Sequence, residues 1–237
     1  MTEEKSEIEK SYDQVVKQFV AEFFDELQRK PFDRELLDQF AETVEGQGKV
    51  CEIGCGPGQI ARYLQDRLVS MCGVDLSAEM VKWARRLNPD ISFQRGDMRA
   101  LEIPDASLAG IVCFYAIIHL RREDVPRALS EMHRVLKPGG RLLISFHGGE
   151  GELHRDQWYD LPVSIDICLF EREEMADYLE AAGFEVERIV DRQPYEFEYP
   201  TRRVYAFGRK PISLESVSKA VSEPGAVAMG SENQAEL

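Results

Sequence analysis

Basic residues are in short supply: 29 lysines and arginines face 43 aspartates and glutamates, a net charge of −14 over 237 residues. That balance excludes electrostatic capture of a phosphate backbone or an anionic membrane unless a local basic patch exists. The arginine pairs at Arg85-Arg86, Arg121-Arg122 and Arg202-Arg203 stand isolated, most with acidic residues nearby, and read as solvated helix or strand ends. Nucleic acid and membrane are therefore not expected partners. Cysteine is sparse and odd in number: Cys51, Cys55, Cys72, Cys113 and Cys168 lie mostly in apolar runs, as reduced, buried thiols do. No second Cys or His pair at ligand spacing follows Cys51 and Cys55, so no metal is expected. Apolar runs never approach 18 residues, and MTEEKSEIEK lacks the basic start and apolar stretch of a signal peptide, which makes the cytoplasm the expected location. Internal repeats are absent.

What is present is enough apolar residue, 43% of the chain, to bury one sizeable core. Residues 11–28 place Tyr12, Val15, Val16, Phe19, Val20, Phe23, Phe24 and Leu27 at helical spacing, predicting an amphipathic helix that must cover another surface. A second helix is predicted from Pro31 or Asp33, ending at Glu45 to Gly48. From there strands and helices alternate. Strands are predicted at 49–54, 70–75, 91–97, 108–115, 141–146, 184–190 and 202–210, with helices at 59–68, 78–87 (capped by Ser77), 125–136 and 171–183. The run Lys137-Pro138-Gly139-Gly140 is read as the break after the helix at 125–136. Such alternation demands a doubly wound, mainly parallel α/β sheet, and the short connection 191–201 makes the last two strands a hairpin with one strand antiparallel. The expected organisation is an N-terminal helical lid over 1–44, a main domain over 45–210, and a disordered tail over 211–237, rich in Ser, Glu, Ala and Gly, whose apolar content cannot offset ordering entropy.

The most informative segment runs Val50-Cys51-Glu52-Ile53-Gly54-Cys55-Gly56-Pro57-Gly58-Gln59, a strand passing directly into a glycine-dense turn that opens a helix. Glycine serves where φ is positive and where a ligand approaches main-chain N–H groups without a Cβ in the way. A dinucleotide site would read G-x-G-x-x-G; the spacing here is G-x-G-x-G, which argues against a NAD-dependent dehydrogenase. Asp75 ends the second strand in Gly73-Val74-Asp75-Leu76-Ser77, and Gly96-Asp97-Met98 follows the third. A carboxylate at the tip of the second strand suits two ribose hydroxyls, as in nucleotide-binding folds generally.

With Glu52 two residues ahead of Gly54, this set resembles class I S-adenosylmethionine (SAM)-dependent methyltransferases. The likeness extends through residues 105–120 and 128–140 to the small-molecule members of that family, including the ubiquinone-biosynthesis type, and covers about 45–147. It implies a Rossmann-like, seven-stranded α/β sheet with N-terminal helices as a lid. It also implies SAM as cofactor, with Glu52 ordering the loop formed by Gly54, Gly56 and Gly58. Asp75 and Leu76 would then lie at the ribose, Asp97 and Met98 at the adenine, Phe114 beside the cofactor, and Tyr12 on a helix closing over it. One departure is Gly110, where an acidic residue is common.

The reaction implied is methyl transfer to O, N or C of a small molecule, an in-line displacement for which alignment and desolvation suffice. If a general base is used, His147 and His119, at the C-terminal edges of the strands, are the candidates; His133 is read as a packed or exposed helix residue. Residues 147–170, with Trp158 and Tyr159, interrupt the pattern as a long loop and are read as a substrate lid. Methylation of RNA or protein would need a basic groove or recognition domain, and neither is visible. A non-catalytic SAM-binding protein would keep Gly54, Gly56 and Asp75.

Overall fold

The computed structural model describes residues 5–212. Helix α1 (Glu7–Phe23) starts at Ser6, whose hydroxyl accepts from the Glu9 N–H; α2 (Pro31–Val44) starts with proline at its first turn. There follow β1 (Val50–Ile53), α3 (Gln59–Gln65), β2 (Met71–Asp75), α4 (Ala78–Leu87), β3 (Ser92–Arg95), β4 (Leu108–Phe114), α5 (Val125–Val135) and β5 (Leu136–Gly148). The chain continues through β6 (Glu152–Trp158), β7 (Leu161–Cys168), α6 (Arg172–Ala181), β8 (Glu185–Arg192) and β9 (Arg202–Arg209).

Seven strands form one sheet in the order β3-β2-β1-β4-β5-β9-β8. The first five pair in parallel, while β9 runs antiparallel to both β5 and β8. This is the doubly wound sheet with one antiparallel strand that the alternation predicts. Strand β1 is buried along its whole length, as parallel strands covered on both faces are. Alternation sorts the core into two clusters. Cys51, Ile53, Ile111, Cys113, Leu142 and Ile144 face α5 and α6; Val50, Val112 and Leu143 face α2, α3 and α4. A Cβ at Gly110 would come within 2.9 Å of the Phe40 ring, so close packing of α2 on β4 accounts for the departure noted there.

The order of strands reverses direction between β1 and β4, which opens a crevice beyond their carboxyl ends, where open α/β sheets place ligands. Three local expectations need correcting. The helix expected over 11–28 stops at Phe23 and a short 3-10 turn spans Glu26–Arg29. The segment Lys137 to Gly140 belongs to β5, where the register shifts between Leu108 and Gly110 of the neighbouring strand.

The loop expected over 147–170 is instead the antiparallel hairpin β6–β7. Tyr159 and Asp160 both take positive φ, 54° and 60°, the geometry of a two-residue type I′ turn. The hairpin packs on α1 rather than on the main sheet: the Ser11 hydroxyl accepts from Ser164 N and donates to Ser164 O, and Trp158 meets Tyr12, Phe19 and Phe23 edge to face. Among the described residues no helix is long and apolar enough to cross a membrane. The tail expected over 211–237 falls almost wholly outside the described residues.

Candidate active site

Beyond β1, Gly54, Gly56 and Gly58 all have positive φ. Gly54 is held against β2 by its N–H to Val74 O at 2.8 Å, and its α-carbon lies so close to Ala116 that an added Cβ would meet the alanine Cβ at 2.1 Å. Gly58 is the N-cap of α3 and offers no side-chain cap. Glu52 supplies it instead: its buried carboxylate accepts from Ala61 N at 2.7 Å. Burial pushes the Glu52 carboxyl well above the ordinary range, opposed by that backbone bond.

Asp75 stitches the loop to the next helix, accepting from Gly56 N at 2.7 Å and from Ser77 N at 2.8 Å. Burial nevertheless lifts its carboxyl to about 6. Ser77 caps α4 by accepting from Met80 N and donates its hydroxyl to Asp13 of α1, which ties the N-terminal helix to the same corner. Asp97 accepts from Arg99 N and from the Arg99 guanidinium, which also reaches Asp124. Burial alone would raise the Asp97 carboxyl, but the Arg99 bonds outweigh it and hold it below the ordinary range.

Around these groups lies a cavity of about 250 Å³ whose wall includes Gly54, Gly56, Asp75, Leu76, Asp97 and Met98. Tyr12 completes it from α1. Of the expected cofactor residues, three are not in its wall. Glu52 and Gly58 lie beneath the loop, Gly58 against Phe93 and Asn88. Phe114 points to the α2–α3 face, because alternation along β4 sends 113 and 115 one way and 112 and 114 the other. Tyr115 and Ala116 take the place expected of Phe114. Tyr115 does so with φ of +50°, an uncommon conformation for an aromatic residue. Four carboxylates, of Glu9, Asp75, Asp97 and Asp124, line the cavity against Arg99 and Arg121, an acidic balance that suits a ligand bearing a sulfonium and an ammonium.

A second cavity of about 530 Å³ shares Tyr12, Phe19, Tyr115 and His119 with the first. It lies between α1, the β6–β7 hairpin and the segment 197–200. His119 sits in the common wall. Its Nδ1 is 3.1 Å from Asp166 O, which can only accept, so Nδ1 carries the proton and Nε2 accepts from the Tyr12 hydroxyl at 2.7 Å. Burial lowers the His119 pKa to about 4.

His147 lines only the larger cavity. Its Nδ1 accepts from Arg203 Nη1 at 2.9 Å, with Thr201 Oγ1 at 2.7 Å, which leaves Nε2 as the N–H-bearing atom. Burial, and then the Arg203 charge, lowers its pKa to about 3. The lone pair of His147 is thus held by a buried guanidinium, whereas that of His119 is held by a neutral hydroxyl that can rotate away. His133, on α5, packs edge to face on Phe184.

Sequence reasoning missed the ionic cluster under this cavity. Lys30, Arg192 and Arg203 interlock with Glu26, Asp33 and Glu198, and Tyr205 donates to Asp33 while contacting the Tyr115 hydroxyl. Arg203, read from sequence as half of a solvated pair, is buried; its charge is matched by Glu198, five residues earlier across the bend into β9. No local sequence signal announces such pairing, since it joins the stretch 26–33 to the distant stretch 192–205.

The pattern of the methyltransferase domain family matches residues 50–140. The chain is 36% identical over 111 residues to a malonyl-[acyl-carrier protein] O-methyltransferase of Erwinia billingiae, covering 47% of this chain and 43% of that one. It is 34% identical over 113 residues to a demethylmenaquinone methyltransferase of Renibacterium salmoninarum, covering 47% and 46%. The chain thus spans about half the length of the curated relatives it matches. Its fold is that of a SAM-dependent methyltransferase from Methanosarcina mazei, with a TM-score of 0.64 at 18% identity over 70% of this chain and 93% of that one. Residues 50–140 thus match the methyltransferase domain family, and the chain is similar to SAM-dependent methyltransferases.

Proposed function

We propose that this chain transfers the methyl group of SAM to O, N or C of a small molecule held in the larger cavity. The observation that carries the reading is the shared wall: the cavity at the glycine turn and the larger one meet at Tyr12, Phe19, Tyr115 and His119. SAM bound in the first supplies a methyl group already activated by the sulfonium. Asp75 and Leu76 hold the ribose, Asp97 and Met98 the adenine, and Gly54 and Gly56 admit the methionine part, with Glu52 and Gly58 shaping the turn from below. Tyr12, Phe19 and Tyr115 exclude water where the two ligands meet, and alignment and desolvation supply most of the acceleration. Of the segment 1–44, α1 acts as a lid on the domain formed by 45–210, while α2 packs into its core; residues 1–4 lie outside the described residues. The names of the two curated relatives support an acceptor outside nucleic acid, as does a net charge of −14. Five free cysteines among the described residues suit a reducing cytoplasm.

Incubation with methyl-labelled SAM and metabolite extracts, followed by mass spectrometry, tests the reading: a labelled small-molecule product is expected. SAM binding with no transfer to any extract would make the chain a non-catalytic SAM-binding protein, and label appearing on RNA or protein would move the acceptor class.

Asp75→Ala should weaken SAM binding by about 2 to 3 kcal/mol in calorimetry, since it strands two ribose hydroxyls. Because the Asp75 carboxyl titrates near 6, wild-type affinity should fall as pH drops below that value and the acceptor is protonated. The same raised pKa means that its contribution to stability is present at low pH and is lost as pH rises through about 6. An affinity independent of pH would place the ribose elsewhere.

His119 is the candidate base, its Nε2 becoming available when the Tyr12 hydroxyl turns away. His119→Ala should lower kcat by about a hundredfold with SAM affinity kept, while His147→Ala should have the smaller effect. A base with a pKa near 4 stays unprotonated through the ordinary imidazole range, so activity should hold there and fall only toward that value. A fall centred near 6.5 would show a histidine in water instead. Equal, small losses in both variants would leave alignment alone.

A further inference from the structure

We infer that the larger cavity binds an amphipathic organic anion, an apolar body carrying a carboxylate or phosphate that Arg29 and Arg155 receive. This rests on the proposed function, since it names the class of acceptor. The charges lining that cavity fall into two groups. Lys30 is bridged to Glu26 and Glu198 at 2.6 and 3.1 Å, and Arg203 to Glu198 at 3.6 Å. His119 and His147 are neutral by the donor and acceptor assignments above. Glu22 accepts from the Tyr159 hydroxyl and is exposed. Two guanidinium groups remain. Neither Arg29 nor Arg155 has a carboxylate within salt-bridge distance or a hydrogen-bond acceptor among the described residues, yet both are held in place. Arg29 lies over the Phe197 ring, 4.3 Å from its centre, and Arg155 over Trp158 at 4.8 Å.

A guanidinium held over a ring face leaves its N–H groups free to present a fork to a carboxylate or phosphate. The stacking fixes the side chain without consuming its donors, so the ordering cost of binding an anion is already met. Counted over the whole lining, four basic groups face three carboxylates, an excess of one positive charge inside a chain whose net charge is −14. The rest of the wall is apolar: Phe19, Phe23, Leu153, Ile165 and Ile167. Trp158, the ring beneath Arg155, packs on Tyr12 and Phe19 of the shared wall, so an anion held there keeps the attached body beside the site of transfer.

The test uses the full chain with S-adenosylhomocysteine, and four probes of one chain length: octanoate, octyl phosphate, octylamine and octanol. Binding is followed by calorimetry with and without S-adenosylhomocysteine. Octanoate or octyl phosphate is expected to bind at least about tenfold more tightly than octanol, with octylamine weakest, and the order of the two anions identifies which head group the fork fits. Arg155→Gln and Arg29→Gln should each weaken the preferred anion by about tenfold while leaving S-adenosylhomocysteine affinity unchanged, which also reports that each variant is folded. Arg86→Gln, which removes an arginine stacked on Trp83 away from both cavities, should change nothing. Equal binding of octanol or octylamine, or an unchanged anion affinity in both glutamine variants, overturns the inference. Failure of S-adenosylhomocysteine to bind, with octanoate still selected by the two arginines, overturns the cofactor reading and upholds the anion site.

Discussion

Glu198→Leu is expected to destabilise the protein by about 3 to 5 kcal/mol, the cost of leaving buried charge uncompensated. Glu198 accepts from Arg192 at 2.6 and 3.0 Å and from Tyr195 N at 2.8 Å, and it bridges Lys30 and Arg203. All three cations are nearly buried, with side chains 5 to 9% exposed. Without Glu198, Arg203 loses its carboxylate, and Lys30 and Arg192 keep one each, Glu26 and Asp33. Glu198→Gln preserves shape and one acceptor and should cost less, about 1 to 3 kcal/mol. Urea midpoints measure both. The cluster pushes the Glu198 carboxyl down to about 2 even though burial opposes ionisation. Its contribution is therefore present above the ordinary carboxylate range and lost as pH falls through about 2. Leucine at no measurable cost would mean that the ion pairs and their desolvation cancel. Because the segment 197–200 lines the larger cavity, the same variant should also loosen binding there.

Gly54→Ala should cost on the order of 2 to 5 kcal/mol and abolish SAM binding, combining left-handed strain with overpacking. The backbone there has φ of +70°, and the new Cβ would stand 2.1 Å from the Ala116 Cβ, so β1 and the chain after β4 would have to part. Gly56→Ala is the control. Its φ is +50°, yet the nearest atom to an added Cβ is Phe19 Cε1 at 3.7 Å, so only the conformational strain of about 1 to 2 kcal/mol applies. A common loss for both would locate the requirement in φ alone; the expected difference locates it in the closeness of β1 and β4. Thermal or urea unfolding separates stability from the cofactor affinity read by calorimetry.

The cavity at the glycine turn was more legible than the larger one, and the reason lies in range. Gly54, Gly56 and Asp75 sit at ends of adjacent strands, so order along the chain translates into adjacency in space, and the acid at the tip of β2 reaches the loop after β1 across one strand spacing. Phe114, expected beside the cofactor, lies outside the cavity wall and shows the limit of that legibility. A shift of one residue along a strand exchanges faces, and the run Ile111 to Phe114 is apolar throughout, with Ile111 to Cys113 buried and Phe114 partly so, so no polar alternation marks which face is which. Hairpin β6–β7 was hidden for the opposite reason. Leu161, Val163, Ile165 and Ile167 do alternate, but Tyr159-Asp160 carries no glycine or asparagine to announce a type I′ turn.

What the sequence by itself determined is the alternating α/β order, the sheet with one antiparallel strand and the glycine turn with its acidic strand ends, because these follow from periodicity and from residues close in the chain or one strand apart. Only the tertiary structure decided which histidine meets the shared wall. His119 lies in the 3-10 turn after β4 and His147 near the end of β5, and their difference arises from partners 107 and 56 residues away, Tyr12 and Arg203. It also decided that Arg203 is buried and that Arg155 has no ion-pair partner among the described residues. Burial and ion pairing depend on which distant segments converge, a matter of packing between faces that local pattern does not encode.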